Sequence, residues 1–273
     1  MDIKSAVDQT IAYSAFFSFP LLPQEIHFWL ISNQRTSFDT IKKHLPPVNP
    51  KTKKLRQSLA KNTLHKEKIA LQLASLVRYL PGIELLALTG SVAIGNAKKN
   101  DDIDLLVVTK PHLLWLTRPV FLFLLNLFFR RRRHPQTDPH QVRNLFCPNL
   151  WLDTTALKVP KYKQNLYTAH EVLQIKPLFD RGHVYQNFLL ANRWSAKYLA
   201  NAYSFLKTPS PESHSKSSIF TYIVAPLNLF LFLAQYSYMF RHKTTEHVTL
   251  HSAYFHKKDL SPKLIQHLRQ SCL

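Results

Sequence analysis

Residues 83–109 read IELLALTGSVAIGNAKKNDDIDLLVVT. Ile83 to Thr89 is a short apolar run closed by a glycine. Ile103 to Thr109 is a second run, rich in Val, Leu and Ile, and both spacings predict buried strands. Ser91 to Ala97 suits a short helix between them. The chain has only four glycines, and two of them, Gly90 and Gly95, fall in this stretch. A glycine directly after a strand lets backbone approach a phosphate, and Ser91 at a helix start adds N–H and hydroxyl donors. Asp102 and Asp104 open the second strand. Alternation puts residues i and i+2 on one face, so the two carboxylates project together while Ile103 faces the core. Carboxylates that close repel unless a cation lies between them. Mg²⁺ suits the pair, because it favours carboxylate oxygens and keeps positions open for phosphates. Asp101 alternates away and reads as a loop acid, and Lys98 and Lys99 as a solvated turn.

This pattern resembles the DNA polymerase beta superfamily of nucleotidyltransferases. Its signature is a strand, a Gly-Ser pair, about ten residues, and an acidic-x-acidic pair in the next strand. Ser91 and Asp102 have ten residues between them. The resemblance implies a third carboxylate on a later strand, and Asp153, ending NLFCPNLWLD, is the acid in such a context. Glu84, on the first strand, and Glu171, in a helical stretch, fit less well. A wider likeness, to a group of prokaryotic nucleotidyltransferase-domain proteins, rests on AYSAFFSFPLLPQEIHFWL (Ala12 to Leu30), NLWLD, YTAHEVLQ (Tyr167 to Gln174), ANRW (Ala191 to Trp194) and TTEHVTLH (Thr244 to His251). The implied reaction is metal-dependent transfer of a nucleoside monophosphate from a nucleoside triphosphate, with ATP expected, to an acceptor hydroxyl. Asp102, Asp104 and Asp153 would be the catalytic and metal-binding set, on Mg²⁺ or Mn²⁺, and Gly90 and Ser91 would grip the β- and γ-phosphates. The resemblance names neither the acceptor nor the oligomeric state.

Upstream, residues 1–60 predict short helices broken at Pro20 and Pro46, followed by a basic stretch, the layout of a winged-helix-like module or of a helical cap. Residues 61–206 form the expected nucleotidyltransferase domain with a helical extension. It holds helices over Lys66 to Leu80 and Leu113 to Phe129, and a strand over Asn144 to Leu152 whose Pro148 suggests an edge or a bulge. Helices follow over 166–175 and 183–199. His170-Glu171 lacks the second histidine of a zinc-protease motif and reads as ordinary helix. Residues 207–218 (KTPSPESHSKSS) have a linker's composition. In the tail, 219–273, Ile219 to Phe240 is 22 residues without a charge, with three readings: a span, an interfacial helix or a buried helix. The fold class is therefore α/β (α+β), a small mixed sheet with flanking helices, a helical N-terminal module and a helical tail.

Composition bounds the partners. Lys and Arg total 36 against 16 acids, a net charge of +20, which points to polyanions: nucleotides, nucleic acid or an acidic membrane face. Two cysteines, Cys147 and Cys272, exclude a disulfide scaffold and a Cys-rich zinc site. The opening MDIKSAVDQT does not read as a secretory signal, so a cytoplasmic setting, with membrane association through 219–240 as an option, is the expectation. The rival to an enzyme is a non-catalytic nucleic-acid-binding or regulatory protein using Lys51, Lys53, Lys54 and Arg56. Such a protein has no need of two aspartates on one strand face.

Overall fold

The computed structural model describes residues 2–132, 141–206, 219–240, 247–255 and 260–271, with side chains in the long apolar helix described from 223 onward. The expected linker at 207–218 and Arg133 lie outside the described residues.

A six-stranded mixed sheet organises the chain, in the order β4-β1-β2-β3-β6-β5. The strands are β1 (Ile83–Leu88), β2 (Ile103–Thr109), β3 (Phe146–Asp153), β4 (Lys176–Asp180), β5 (His247–Val248) and β6 (Ser252–Tyr254). β1 and β2 are antiparallel, whereas β2 and β3 are parallel. A parallel pair needs a crossover, and α6 (Leu114–Phe128) lies in that connection. β1 is buried at every position and β2 at all but Asp104, because both faces of the sheet are covered. Leu85, Ala87, Leu106 and Val108 enter one core with Ala169, Val172 and Phe188. Leu86, Leu88, Leu105 and Val107 enter the other with Leu73, Val77, Trp115 and Phe121. The period-2 alternation thus separates two cores, which is why these strands read as continuous apolar runs. Pro148 sits in β3 beside a register shift opposite Leu105 and Leu106, as its missing N–H requires, but β3 is an inner strand.

At the N-terminus, α1 (Ile3–Phe16), α2 (Pro23–Phe28) and α3 (Phe38–Lys42) precede α4 (Pro50–Val77), a helix of 28 residues. The boundary expected at residue 60 falls inside α4. Its basic first half is therefore helical, and Arg56 pairs with Glu25 and lies over the Phe19 ring, 3.8 Å from its centroid, tying the N-terminal helices down.

The expected helical tail needs correction. Beyond α10 (Ile219–Phe240), the chain returns as β5 and β6, and β6 extends the sheet on β3 through Leu150, Trp151 and Leu152. α11 (Ser261–Ser271) packs on α1 and on α7 (Leu166–Leu173). Asn228 of α10 is buried and accepts from the backbone N–H groups of Trp115 (2.8 Å) and Leu116 (3.1 Å) at the start of α6. The Trp115 indole N–H reaches the carbonyls of Thr249 and Leu250. Periodicity could not show this, because strands of two and three residues carry no pattern.

Cutting the chain after Leu206 should therefore expose the β3 edge and strip the α6 start of its partner. The truncated protein is expected to aggregate or to melt lower by roughly 10 °C or more, as read by differential scanning fluorimetry and light scattering. A shortened chain that melts with the full-length protein would overturn this.

Candidate active site

The end of β1 and the start of β2 lie side by side. The Thr89 N–H donates to the Asp104 carbonyl at 3.1 Å, which sets Gly90 against the Asp104 side chain. Gly90 has φ +61°, and a Cβ there would stand 2.7 Å from Asp104 Oδ2. Both the backbone conformation and the space exclude a side chain. After this turn a single helical turn, α5 (Gly90–Ala93), leads into the loop 94–102.

That loop is held from inside. Lys66 of α4, 1% exposed, donates from Nζ to the Asp101 carbonyl (2.6 Å) and to Asn144 Oδ1 (2.8 Å). Burial pulls the Lys66 ammonium below its ordinary value, partly offset by Asp101. The Asp101 carboxylate accepts from Ser91 Oγ (3.1 Å) and from the Lys98 N–H (2.8 Å). Asp101 is thus a loop acid, as read, but one that latches the Gly-Ser turn to the start of β2.

Asp102 and Asp104 come together. With Cys147 they offer ligand atoms all within 4.8 Å of one another. Asp102 pairs with Arg132 at 2.7 Å, and Asp104 Oδ1 accepts from Asn149 Nδ2 at 2.7 Å. The Asp104 carboxyl is held well above the usual carboxylate range, first by burial, then by the Asp102 and Glu171 charges. Burial also pushes the Cys147 thiol up, so it stays protonated and is a poor ligand for a hard cation. Two crowded carboxylates with raised proton affinity form a donor set that fits a divalent ion of the Mg²⁺ type.

Asp153 does not join them. In the parallel register Asp104 faces Cys147, while Asp153 faces Thr109 at the other end of β2. That is five residues further along, roughly 16 Å. There Asp153 is fully buried and accepts from the Thr155 N–H (2.9 Å), the His112 N–H (3.2 Å) and His251 Nδ1 (2.7 Å). Its hydrogen bonds tie loops together at the opposite end of the strands.

Glu171 faces Asp104 instead. It lines a pocket with Gly90, Ser91, Asp104 and Asn149, closed at the sides by Tyr13, Phe17 and Tyr167. Glu171 is half-buried in the wall of this pocket, and desolvation there pushes its carboxyl up to about 7. Its neighbour His170 is core, stacked on Tyr13 with ring centroids 3.7 Å apart. Lys98 and Lys99 line a basin with Asp102 and Arg132 on the outer side of the pair. The carboxylate spacing in the sequence identifies Asp102 and Asp104, but Asn149 and Glu171 enter from a parallel strand and a helix whose placement no local pattern encodes.

The family model of the nucleotidyltransferase domain matches residues 66–143. The matched span begins at Lys66, runs through β1, the Gly-Ser turn and β2, and ends beside Asn144, which is consistent with a nucleotidyltransferase domain of the polymerase beta type. No curated protein and no solved structure matches the chain.

The raised proton affinity of Glu171 has a consequence for stability. A carboxyl whose folded value rises from 4.5 to about 7 keeps its proton in the native state after the unfolded chain has lost it. The native state is thus favoured at low pH, and that advantage is lost as pH rises from about 4.5 through 7. Glu171→Gln should be more stable than the parent at pH 8 and close to it at pH 4.5, measured by urea denaturation. A constant difference across that range would refute the raised proton affinity.

Proposed function

We propose that the protein is a metal-dependent nucleotidyltransferase that moves a nucleoside monophosphate from a nucleoside triphosphate, ATP in the first instance, to an acceptor hydroxyl. The observation that carries this reading is the pair Asp102 and Asp104, within ligand distance of each other against a glycine that can carry no side chain. Asp102 and Asp104 would hold Mg²⁺ or Mn²⁺, which when bound supplies Lewis-acid stabilisation of charge on the transferring phosphoryl group. Gly90 lets the backbone approach the β- and γ-phosphates, with Ser91 beside it. Lys98, Lys99 and Arg132 form the cationic rim for the triphosphate. Asn149 fixes the Asp104 carboxylate, so the ligand set is oriented before substrate arrives. Asp153, expected as the third metal ligand, has no part in this site.

Asp102→Asn and Asp104→Asn should each lower Mg²⁺-dependent transfer at least 10³-fold, because charge stabilisation is a major share of the rate. Asp153→Asn should leave the chemistry of the purified, folded fraction intact while lowering its melting temperature. Transfer is measured with α-labelled ATP, Mg²⁺ and a cell extract, with nucleotide binding by calorimetry. Equal, mild losses at all three positions would sink the reading.

We further propose that the enzyme works on an acidic membrane face. Ile223–Phe240 is long and apolar enough to cross a bilayer, yet only 6% of this stretch is buried. Two of its polar side chains turn inward: Asn228 to the α6 start, and Gln235 to Arg118 at 2.8 Å. Ile223, Phe230, Leu233 and Tyr238 point outward, and α6 continues the apolar surface with Phe123, Leu127 and Phe128. This inverted polarity favours a helix laid on lipid and anchored to its domain over one that spans alone. Exposed Arg130 follows α6, and Lys216, Arg241 and Lys243 flank α10 in the sequence, which suits anionic headgroups. The protein should float with phosphatidylglycerol vesicles and not with phosphatidylcholine alone, and Phe123→Ser with Phe230→Ser should abolish flotation. A dimer in solution that ignores both vesicles would assign the face to a second copy.

A further inference from the structure

The pocket that holds Gly90, Ser91 and Asp104 does not end at Glu171. Beyond that carboxyl lies a second cavity of about 310 Å³, and Thr89, Tyr167 and Glu171 line both. Its volume is at the lower end of the range for small-molecule sites. Leu150, Leu152, Val172, Ile175 and Phe188 give it apolar walls, and Lys163 lies among its polar lining. The shared wall carries an unusual group. Thr89 is 6% exposed, and its hydroxyl oxygen has no hydrogen-bond partner among the described residues. A buried hydroxyl is nearly always satisfied, so one left open in a cavity wall points to a polar atom of a ligand.

Group transfer needs two substrates whose reacting atoms meet about 3 Å apart. Two cavities joined at one wall, with a carboxyl and an open hydroxyl in that wall, meet this need. The triphosphate belongs with Gly90 and the cationic rim, which leaves the apolar cavity for the other substrate. Resting on the nucleotidyltransferase reading, we propose that this cavity is the acceptor site and takes a small molecule with an apolar body of one or two rings and a hydroxyl directed at Thr89 and Glu171. Among the described residues the lining is apolar walls and one lysine, which disfavours a polycationic acceptor, and a cavity of this volume has no room for a folded macromolecule.

In the transfer step, the acceptor O–H gives its proton to the Glu171 carboxylate. The oxygen forms a bond to the α-phosphorus, and the bond from that phosphorus to the bridging oxygen of the β-phosphate breaks. Pyrophosphate leaves with the electron pair. Glu171 then returns the proton to solvent, so nothing is oxidised or reduced.

The test uses 2-naphthol as probe and α,β-methylene-ATP with Mg²⁺ as the inert nucleotide, on the full chain, by saturation-transfer NMR and calorimetry. Naphthol should bind in the millimolar range or tighter, with and without the nucleotide. Thr89→Val, which keeps the shape and removes the hydroxyl, should weaken naphthol at least threefold. It should leave 2-methoxynaphthalene unchanged. Leu150→Phe, which narrows the cavity, should weaken both probes. Displacement of naphthol by the nucleotide would assign the cavity to the base and overturn the proposal. So would binding that is the same in both variants, or no binding. If the nucleotide itself fails to bind while naphthol keeps its dependence on Thr89, the nucleotidyltransferase reading falls and a small-molecule site remains.

Discussion

A single buried ammonium holds the functional end of this molecule together. Lys66 rises from the middle of α4 and donates to the Asp101 carbonyl and to Asn144. Those acceptors belong to the two segments that lead into β2 and β3, so one charge fixes the entry of both parallel strands against the long helix. Burying a cation is unfavourable unless its donors are satisfied, and here several acceptors converge on it. From this anchor follow the tight loop 98–102, the Asp101 latch on Ser91 and the placement of Asp102 and Asp104 at the mouth of the sheet.

The site itself is a set of charges kept in tension. Asp104 and Glu171 are both half-buried carboxyls with raised proton affinity, and Arg132 is paired to Asp102. Such an arrangement is unfavourable for folding alone, and on the proposed reading a cation and a polyphosphate would relieve it. The Gly90 turn belongs to the same logic, since it brings the backbone against Asp104 with no side chain between them.

The far side of the molecule follows another constraint. α10 satisfies the polar start of α6 with Asn228 and Gln235 and so turns its apolar residues outward. The strands that follow close the sheet on β3. The segment after residue 218 is consequently part of the domain, although a stretch of linker composition precedes it.

Local sequence determined β1, β2, the Gly-Ser turn and the facing pair Asp102 and Asp104, because alternation, chain reversal and glycine's freedom act over a few residues. It also marked α6 and α10 by their apolar length. Only the tertiary structure decided what completes the site. β3 pairs parallel to β2 in a register that brings Cys147 and Asn149 to Asp104 and carries Asp153 to the opposite end. Glu171 arrives from a helix packed on the sheet face that carries Asp104. Parallel register is set by contacts across tens of residues and by the bulge at Pro148, and helix docking by two separate cores. Neither leaves a periodic trace in the chain, so the acid in NLWLD looked like the partner of Asp102 and Asp104, while the carboxyl that faces Asp104 lay in an ordinary amphipathic helix.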